Sequence, residues 1–295
     1  MSTPLPRRIV VLVHARDVGA ERRPYQIWGI ADIWRSWGIE VLVSRGVGRA
    51  IEADVIVNHI DLTVVPEAYV QFMERYPVAI NGRCTDISKR TVSANLVTNG
   101  DGWDGPVIVK TDRNHGGRPE RRLGWGRIAL LASPNAWLSR GRWRTRSMLV
   151  PDDYPIFESA AKVPPDVWRN PLLVVERFLP EREDDLFVVR SMAIFGDKGV
   201  TRRRLSRSPI VKAGGIVRAE EVEPHPDMFE TARRLKLDRG KIDYVVRDGR
   251  AELFDINRTN TMGTYTPARR ADTCRRLADG LRTFWPPTTA ADTHA

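Results

Sequence analysis

The strongest constraint in this chain is a hairpin near its end. Two strand-like runs, Ile242-Asp243-Tyr244-Val245-Val246 and Ala251-Glu252-Leu253-Phe254-Asp255-Ile256-Asn257, flank Asp248-Gly249, and Asp-Gly supplies the positive backbone angles of a tight hairpin turn. Side chains alternate faces along a strand, so Asp255 and Asn257 point the same way, and the partner strand can bring Asp243 onto that face. Three oxygen ligands then converge among apolar neighbours, where an acidic group calls for a cation. Oxygen-only ligands with open positions suit Mg2+, which takes its remaining ligands from water and substrate phosphates.

The beginning of the chain alternates two periods. Residues 7–13 read as a buried strand; residues 25–38 place Ile27, Ile30, Ala31, Trp34 and Trp37 at helical spacing, ended by Gly38. Strands at 39–43, 54–57 and 78–81 with a helix at 66–76 continue the alternation, which predicts a parallel sheet covered by helices. His14, Arg16, His59 and Asp61 fall at or just after the strand ends, where open α/β sheets place ligands. No Gly-x-Gly-x-x-Gly follows the first strand and no Walker phosphate loop occurs anywhere, so a bound nucleotide needs another scaffold. At 295 residues, two or three lobes sharing one site are expected.

Composition narrows the class further. No run of about 18 apolar residues suggests a membrane span, and the short apolar run after Pro4 and Pro6 is wrongly flanked for a signal peptide. With only Cys84 and Cys274, neither a disulfide framework nor a zinc site is implied, and a cytoplasmic protein with reduced thiols is expected. The net charge of +10 attracts anions, leaving nucleotide phosphates, carboxylates, acidic peptides and nucleic acid open.

Beyond composition, the motif Gly240-Lys241-Ile242-Asp243 with Leu253-Phe254-Asp255-Ile256-Asn257-Arg258-Thr259-Asn260-Thr261-Met262-Gly263 resembles the closing metal-binding strands of the ATP-grasp superfamily, which includes D-alanine–D-alanine ligase, glutathione synthetase and the ribosomal-protein glutamate ligases. That family usually carries glutamate at the position of Asp255. Further segments fall in the family's order. Ser88-Lys89 and Pro106-Val107-Ile108-Val109-Lys110 resemble the segments that carry its two phosphate lysines, and the loop Arg113-Asn114-His115-Gly116-Gly117 resembles its flexible phosphate flap. Val174-Val175-Glu176-Arg177-Phe178-Leu179 resembles the strand that reads adenine, with Glu183 or Asp184 at the ribose position. Arg202, Arg203, Arg207 and Lys212, ahead of Gly214-Gly215, resemble the basic stretch that contacts the γ-phosphate and the acyl phosphate; strand alternation turns only some of them inward, and Arg203 and Arg207 are the expected pair.

The resemblance implies an α/β chain with an N-terminal domain over residues 1–88, an ATP-grasp domain of two α+β lobes over 89–285, and a tail over 286–295. It implies a carboxylate–amine ligase that uses ATP with one or two Mg2+ ions, or Mn2+ in their place, to form an acyl phosphate. Lys89, Lys110, Gly116, Gly117, Glu176, Arg177, Phe178, Leu179, Glu183 and Asp184 would hold ATP. Asp243, Asp255 and Asn257 would hold metal, and Arg203, Arg207 and Lys212 would act on the transferred phosphoryl group. Small-molecule or peptide acids and amines are the expected partners, and a homodimer is common in the family. The alternatives are a phosphotransferase on the same scaffold, or a binding protein for nucleic acid or an acidic partner. Between the flap and the adenine strand, Trp125, Trp137, Trp143 and Trp168 stand with Arg140, Arg142, Arg144 and Arg146, a composition that suits a substrate lid or a partner surface.

Overall fold

In the computed structural model, which describes residues 4–124, 142–147, 149, 154–211 and 213–285, the N-terminal alternation closes into a four-stranded parallel sheet. Its strands are β1 (Arg8–Val13), β2 (Glu40–Arg45), β3 (Val55–Asn58) and β4 (Val78–Ile80), in the order β2-β1-β3-β4. Alternation decides which helix each face receives. Ile9, Val11 and Val57 pack with α1 (Gln26–Ser36), whereas Val10, Leu12 and Ile56 pack with α2 (Glu67–Met73).

After the short α3 (Lys89–Val92), the strand β5 (Val107–Thr111) centres an antiparallel sheet of order β6-β5-β7. It is completed by α4 (Arg118–Leu123), β6 (Ile156–Phe157), α5 (Pro165–Trp168) and β7 (Leu173–Arg177). Val107, Val109, Leu173 and Val175 face a small core with Val167 of α5. Ile108 is the cross-strand partner of Glu176, so Ile108, Lys110 and Glu176 share the opposite face.

A six-stranded sheet follows, built from β8 (Glu181–Glu183), β9 (Leu186–Phe195), β10 (Lys198–Ser206), β11 (Ile216–Val222), β12 (Arg239–Arg247) and β13 (Arg250–Asn257). The order is β11-β10-β9-β12-β13, with β8 paired to β9. Met192, Ile242, Tyr244 and Ile256 on one face pack against Met228 and Ala232 of α6 (Pro226–Arg234). Ala193, Phe195 and Val200 on the other face pack against α1 and the last helix, α7 (Pro267–Ala278). This last helix stops at Ala278 and tightens into a 3-10 turn over Asp279–Thr283. There Gly280 lies so close to the sheet that a Cβ would stand 2.1 Å from the Phe195 carbonyl oxygen.

Asn81 joins the first sheet to the third. Its left-handed backbone (φ 57°) is one that asparagine tolerates better than bulkier residues. Its side chain accepts hydrogen bonds from the Asp238 and Arg239 N–H groups at 2.8 and 3.0 Å and donates to the Arg239 carbonyl at 2.7 Å. The end of β4 is thereby pinned to the start of β12. The second face of the six-stranded sheet, beyond the part covered by α1 and α7, opposes the Ile108–Lys110–Glu176 face of the three-stranded sheet.

Candidate active site

Between those two sheets lies a cleft of about 1090 Å3 including its open mouth. Lys89, Lys110, Arg177, Arg204 and Lys241 line it against three carboxylates, Glu181, Asp243 and Asp255, so its lining is net positive and attracts anions. Ile108, Phe178, Val189, Ile210 and Phe254 supply apolar wall.

Each charged group is placed by a local feature. Lys89 enters at the start of α3, where its backbone N–H donates to the Asp112 carbonyl at 3.0 Å. Its side chain is buried, with Asp255 Oδ1 3.4 Å from the ammonium. Lys110 makes a 2.5 Å ion pair with buried Glu176 and lies 5.3 Å from the centre of the Phe254 ring. Asp243 lies opposite both Ser191 and Asp255 in the sheet. It accepts from Ser191 Oγ at 2.5 Å and from Lys241 Nζ at 2.6 Å, while Arg204 donates to the same serine oxygen at 3.1 Å. Burial pushes the Asp243 carboxyl up, but Lys241 and the serine hydrogen bond outweigh it and hold the group below the usual carboxylate range. Burial, followed by the Asp255 charge, raises the phenol of Tyr154 at the cleft wall.

A feature the sequence did not reveal aims the last strand. The β12–β13 register slips between Asp243 and Tyr244: Asp243 opposes Asp255, whereas Tyr244 opposes Leu253. The extra residue is Phe254, and this bulge turns two consecutive side chains, Phe254 and Asp255, into the cleft.

Comparison of the sequence with protein-family models and with curated proteins gives no match. The structure, however, is similar to that of the ATP-grasp ligase PsnB complexed with minimal precursor, Mg and ADP. Identity is 12%, coverage 96% of this chain and 98% of that one, and the TM-score 0.51. It is also similar to a Chryseobacterium gregarium RiPP-associated ATP-grasp ligase in complex with ADP and a leader and core peptide, at 10% identity, 95% and 98% coverage and a TM-score of 0.50. The chain has the ATP-grasp fold.

On that ATP-grasp scaffold the expected site residues separate into two groups. Lys89, Lys110, Arg177, Phe178, Asp243 and Asp255 line one cleft, with Glu176 bound to Lys110 at its wall. Gly116 and Gly117, both with positive φ, sit away from it. Their loop is tied to the N-terminal lobe through Thr63, whose Oγ1 accepts from the Asn114 N–H at 2.9 Å and whose N–H donates to Glu120 at 2.8 Å. Leu179 and Asp184 do not line the cleft, and Glu183 is bound by Arg203 and Arg218. The N–H groups of Arg177 and Phe178 already donate to the Asn95 and Pro106 carbonyls, so these donors of the expected adenine strand are taken.

The basic stretch needs a correction of phase. Arg203 lies on the other face of the sheet, ion-paired to Glu183 and, at 2.8 Å, to Glu220; the cleft receives Arg204 instead. The segment reads as a strand from its sequence, but which of its alternating arginines turns inward depends on pairing with β9. Arg207 is exposed beyond the strand end and outside the cleft. Lys212 lies outside the described residues, as do Trp125, Trp137 and Arg140. Asn257 does not line the cleft, and its Oδ1 accepts from the Thr259 N–H at 2.8 Å.

The candidate metal donors that line the cleft are therefore the two carboxylates Asp243 and Asp255. Mg2+ commonly takes only one or two carboxylates alongside substrate phosphates, and Asp255, one third exposed with a single long contact to Lys89, fits that use. Of the strand-end residues in the N-terminal lobe, His59 is fully buried 3.2 Å from Arg239, and burial drives its imidazole well below its ordinary value. Asp61 accepts from Arg122 at 2.6 Å, Tyr25 at 2.9 Å and Thr259 at 2.5 Å. Both cysteines are buried free thiols. Among the described residues no helix is long and apolar enough to cross a membrane.

Proposed function

We propose that this protein is an ATP-dependent carboxylate–amine ligase that forms an amide bond through an acyl phosphate and releases ADP and phosphate. The observation that supports it most is the convergence of Lys89, Lys110, Lys241 and Arg204 with Asp243 and Asp255 in one cleft of an ATP-grasp fold. Lys89 and Lys110 hold the inner phosphates as point charges. Phe178, Ile108 and Phe254 offer the base an apolar slot. Asp243 and Asp255 would hold Mg2+, which when bound neutralises charge on the phosphates and acts as a Lewis acid.

Arg204 and Lys241 face the place where negative charge builds as a carboxylate oxygen bonds to the γ-phosphorus and the bond to ADP breaks. A neutral amine then attacks the activated carbonyl and loses a proton as phosphate leaves. The substrate class is a small-molecule or peptide acid with an amine; the similar C. gregarium ligase holds a leader and core peptide. This chemistry needs positioned charges and no nucleophilic side chain.

Calorimetry of ATP binding with and without Mg2+, followed by an ADP-release screen over amino acids, acidic peptides and small acids with hydroxylamine, tests the proposal. Metal-dependent binding and a hydroxamate formed with ADP are expected. A stable phosphorylated product would instead make the protein a phosphotransferase, and release of AMP would overturn the reading.

A further inference from the structure

Among the described residues, one arginine of β10 has no ion-paired acid. Arg202 is only 7% exposed, and its side chain makes no hydrogen bond or ion pair among the described residues. The acid directly across the ladder, Glu221 of β11, is taken by Arg276 of α7 at 2.5 Å. On its other side Arg202 faces neutral Ser191. Its charged neighbours are mostly cations: burial, then the Arg269 charge, lowers its guanidinium, Arg204 adds to this, and Tyr265 and Glu221 oppose it. A buried cation left among cations is destabilising unless an anion accompanies it.

The strand supplies the spacing. Arg202 and Arg204 stand at i and i+2, so they share a face about 7 Å apart along β10. Arg204 lines the nucleotide-sized cleft and, like Arg202, makes no ion pair; its contact there is the neutral Ser191 hydroxyl. Arg202 lies outside the cleft lining, on the side where α7 packs against β10. Two arginines without carboxylate partners, one at the reacting end of the cleft and one a two-residue step beyond, form a pair of anion positions.

We infer that the acid activated by this enzyme carries a second carboxylate, which Arg202 binds while the first lies at Arg204. The inference rests on the ligase reading and deepens it: the substrate is a dicarboxylate, free or presented by an acidic peptide, whose two carboxylates are separated by a few carbons. Arg202 is then a specificity-determining residue, and discrimination against monoacids comes from leaving its buried charge unpaired.

The test is calorimetric titration of the full chain with glutarate, glutamate and the dipeptide Glu-Glu, each against a monocarboxylate of matched length. Titrations are run with and without Mg2+ and a non-hydrolysable ATP analogue, on wild type, Arg202→Met and Arg202→Lys. At least one dicarboxylate is expected to bind tenfold or more tightly than its matched monoacid. Arg202→Met should bring the two within about twofold, Arg202→Lys should restore part of the difference, and affinity for the nucleotide analogue should stay within about twofold. No preference for any dicarboxylate in wild type, or a preference that survives Arg202→Met, overturns the inference while leaving the ligase reading in place. Absence of Mg-dependent nucleotide binding overturns the ligase reading instead, and the titrations without nucleotide still decide whether Arg202 selects a dicarboxylate.

Discussion

The two faces of the six-stranded sheet carry similar charges and handle them in opposite ways. On one face Arg203 is held by Glu183 and Glu220, Arg218 by Glu183, and Arg190 by Glu181. On the other, Lys241 is held by Asp243, but among the described residues Arg202 and Arg204 have no carboxylate partner; beside that face, buried Lys89 of α3 has one acid at 3.4 Å. Adjacent residues of one strand thus differ in whether the protein itself supplies their counter-charge. Where it does, the arginine is part of the scaffold. Where it does not, the charge is available to a ligand, and arginine content alone cannot tell these cases apart.

The most severe way to break the contrast is to remove the carboxylates of the cleft face. Asp243→Asn and Asp255→Ala are each expected to lower turnover by roughly 100- to 1,000-fold. Circular dichroism of Asp255→Ala should be unchanged, because that side chain is one third exposed. Next comes the phase of β10. Arg204→Met should lower kcat/KM by about 10- to 100-fold, whereas Arg203→Met should change it by less than about threefold. Equal effects in steady-state assays would mean that the two faces are not functionally distinct.

Lys110 sharpens the comparison, since it is a cleft cation with a tight internal partner. Arg203→Met leaves its acids partly in solvent, but Lys110→Met strands the buried Glu176 carboxylate, whose Oε1 already lacks a hydrogen bond. A loss of about 3 kcal/mol in urea unfolding is expected, most of it recovered in Lys110→Met/Glu176→Gln.

The smallest effect concerns Asp238, beside the Asn81 pin. Burial raises its carboxyl to about 6 despite the Asn81 N–H and the Arg83 charge. The native state therefore holds a proton that the unfolded chain releases near pH ~4. Stability is highest below that lower value and falls as pH rises through about 6, by on the order of 2 to 3 kcal/mol. Asp238→Asn should flatten this part of the pH–stability curve; an unchanged slope would assign it to other groups.

Much of the architecture was legible because it follows from short-range periodicity. The apolar run at β1, the helical spacing of α1 and the Asp248-Gly249 turn each state their conformation within a few residues. The structure brings Lys89, Lys110, Asp243 and Asp255 together in one cleft; the last three sit on strands whose alternation the sequence shows, and Lys89 opens α3. Arg204 was missed by one position and Phe254 altogether: the first depends on the phase of β10 against β9, the second on a bulge in the β12–β13 ladder. The flap glycines were placed by motif, yet Thr63 and Asp61, distant in sequence, decide where their loop and α4 rest. Trp125 and Trp137 fall outside the described residues.

The sequence by itself determined the parallel N-terminal sheet, the closing hairpin with its facing carboxylates, and a positive charge suited to anionic ligands. These depend on backbone propensity, side-chain alternation and composition, all carried locally. Only the tertiary structure decided which cations are neutralised. Glu183 meets Arg203 across the sheet, and Arg276 takes Glu221 away from Arg202. Ion pairing depends on which side chains long-range packing brings within a few ångströms, and a charge has no way to state its partner in the residues beside it.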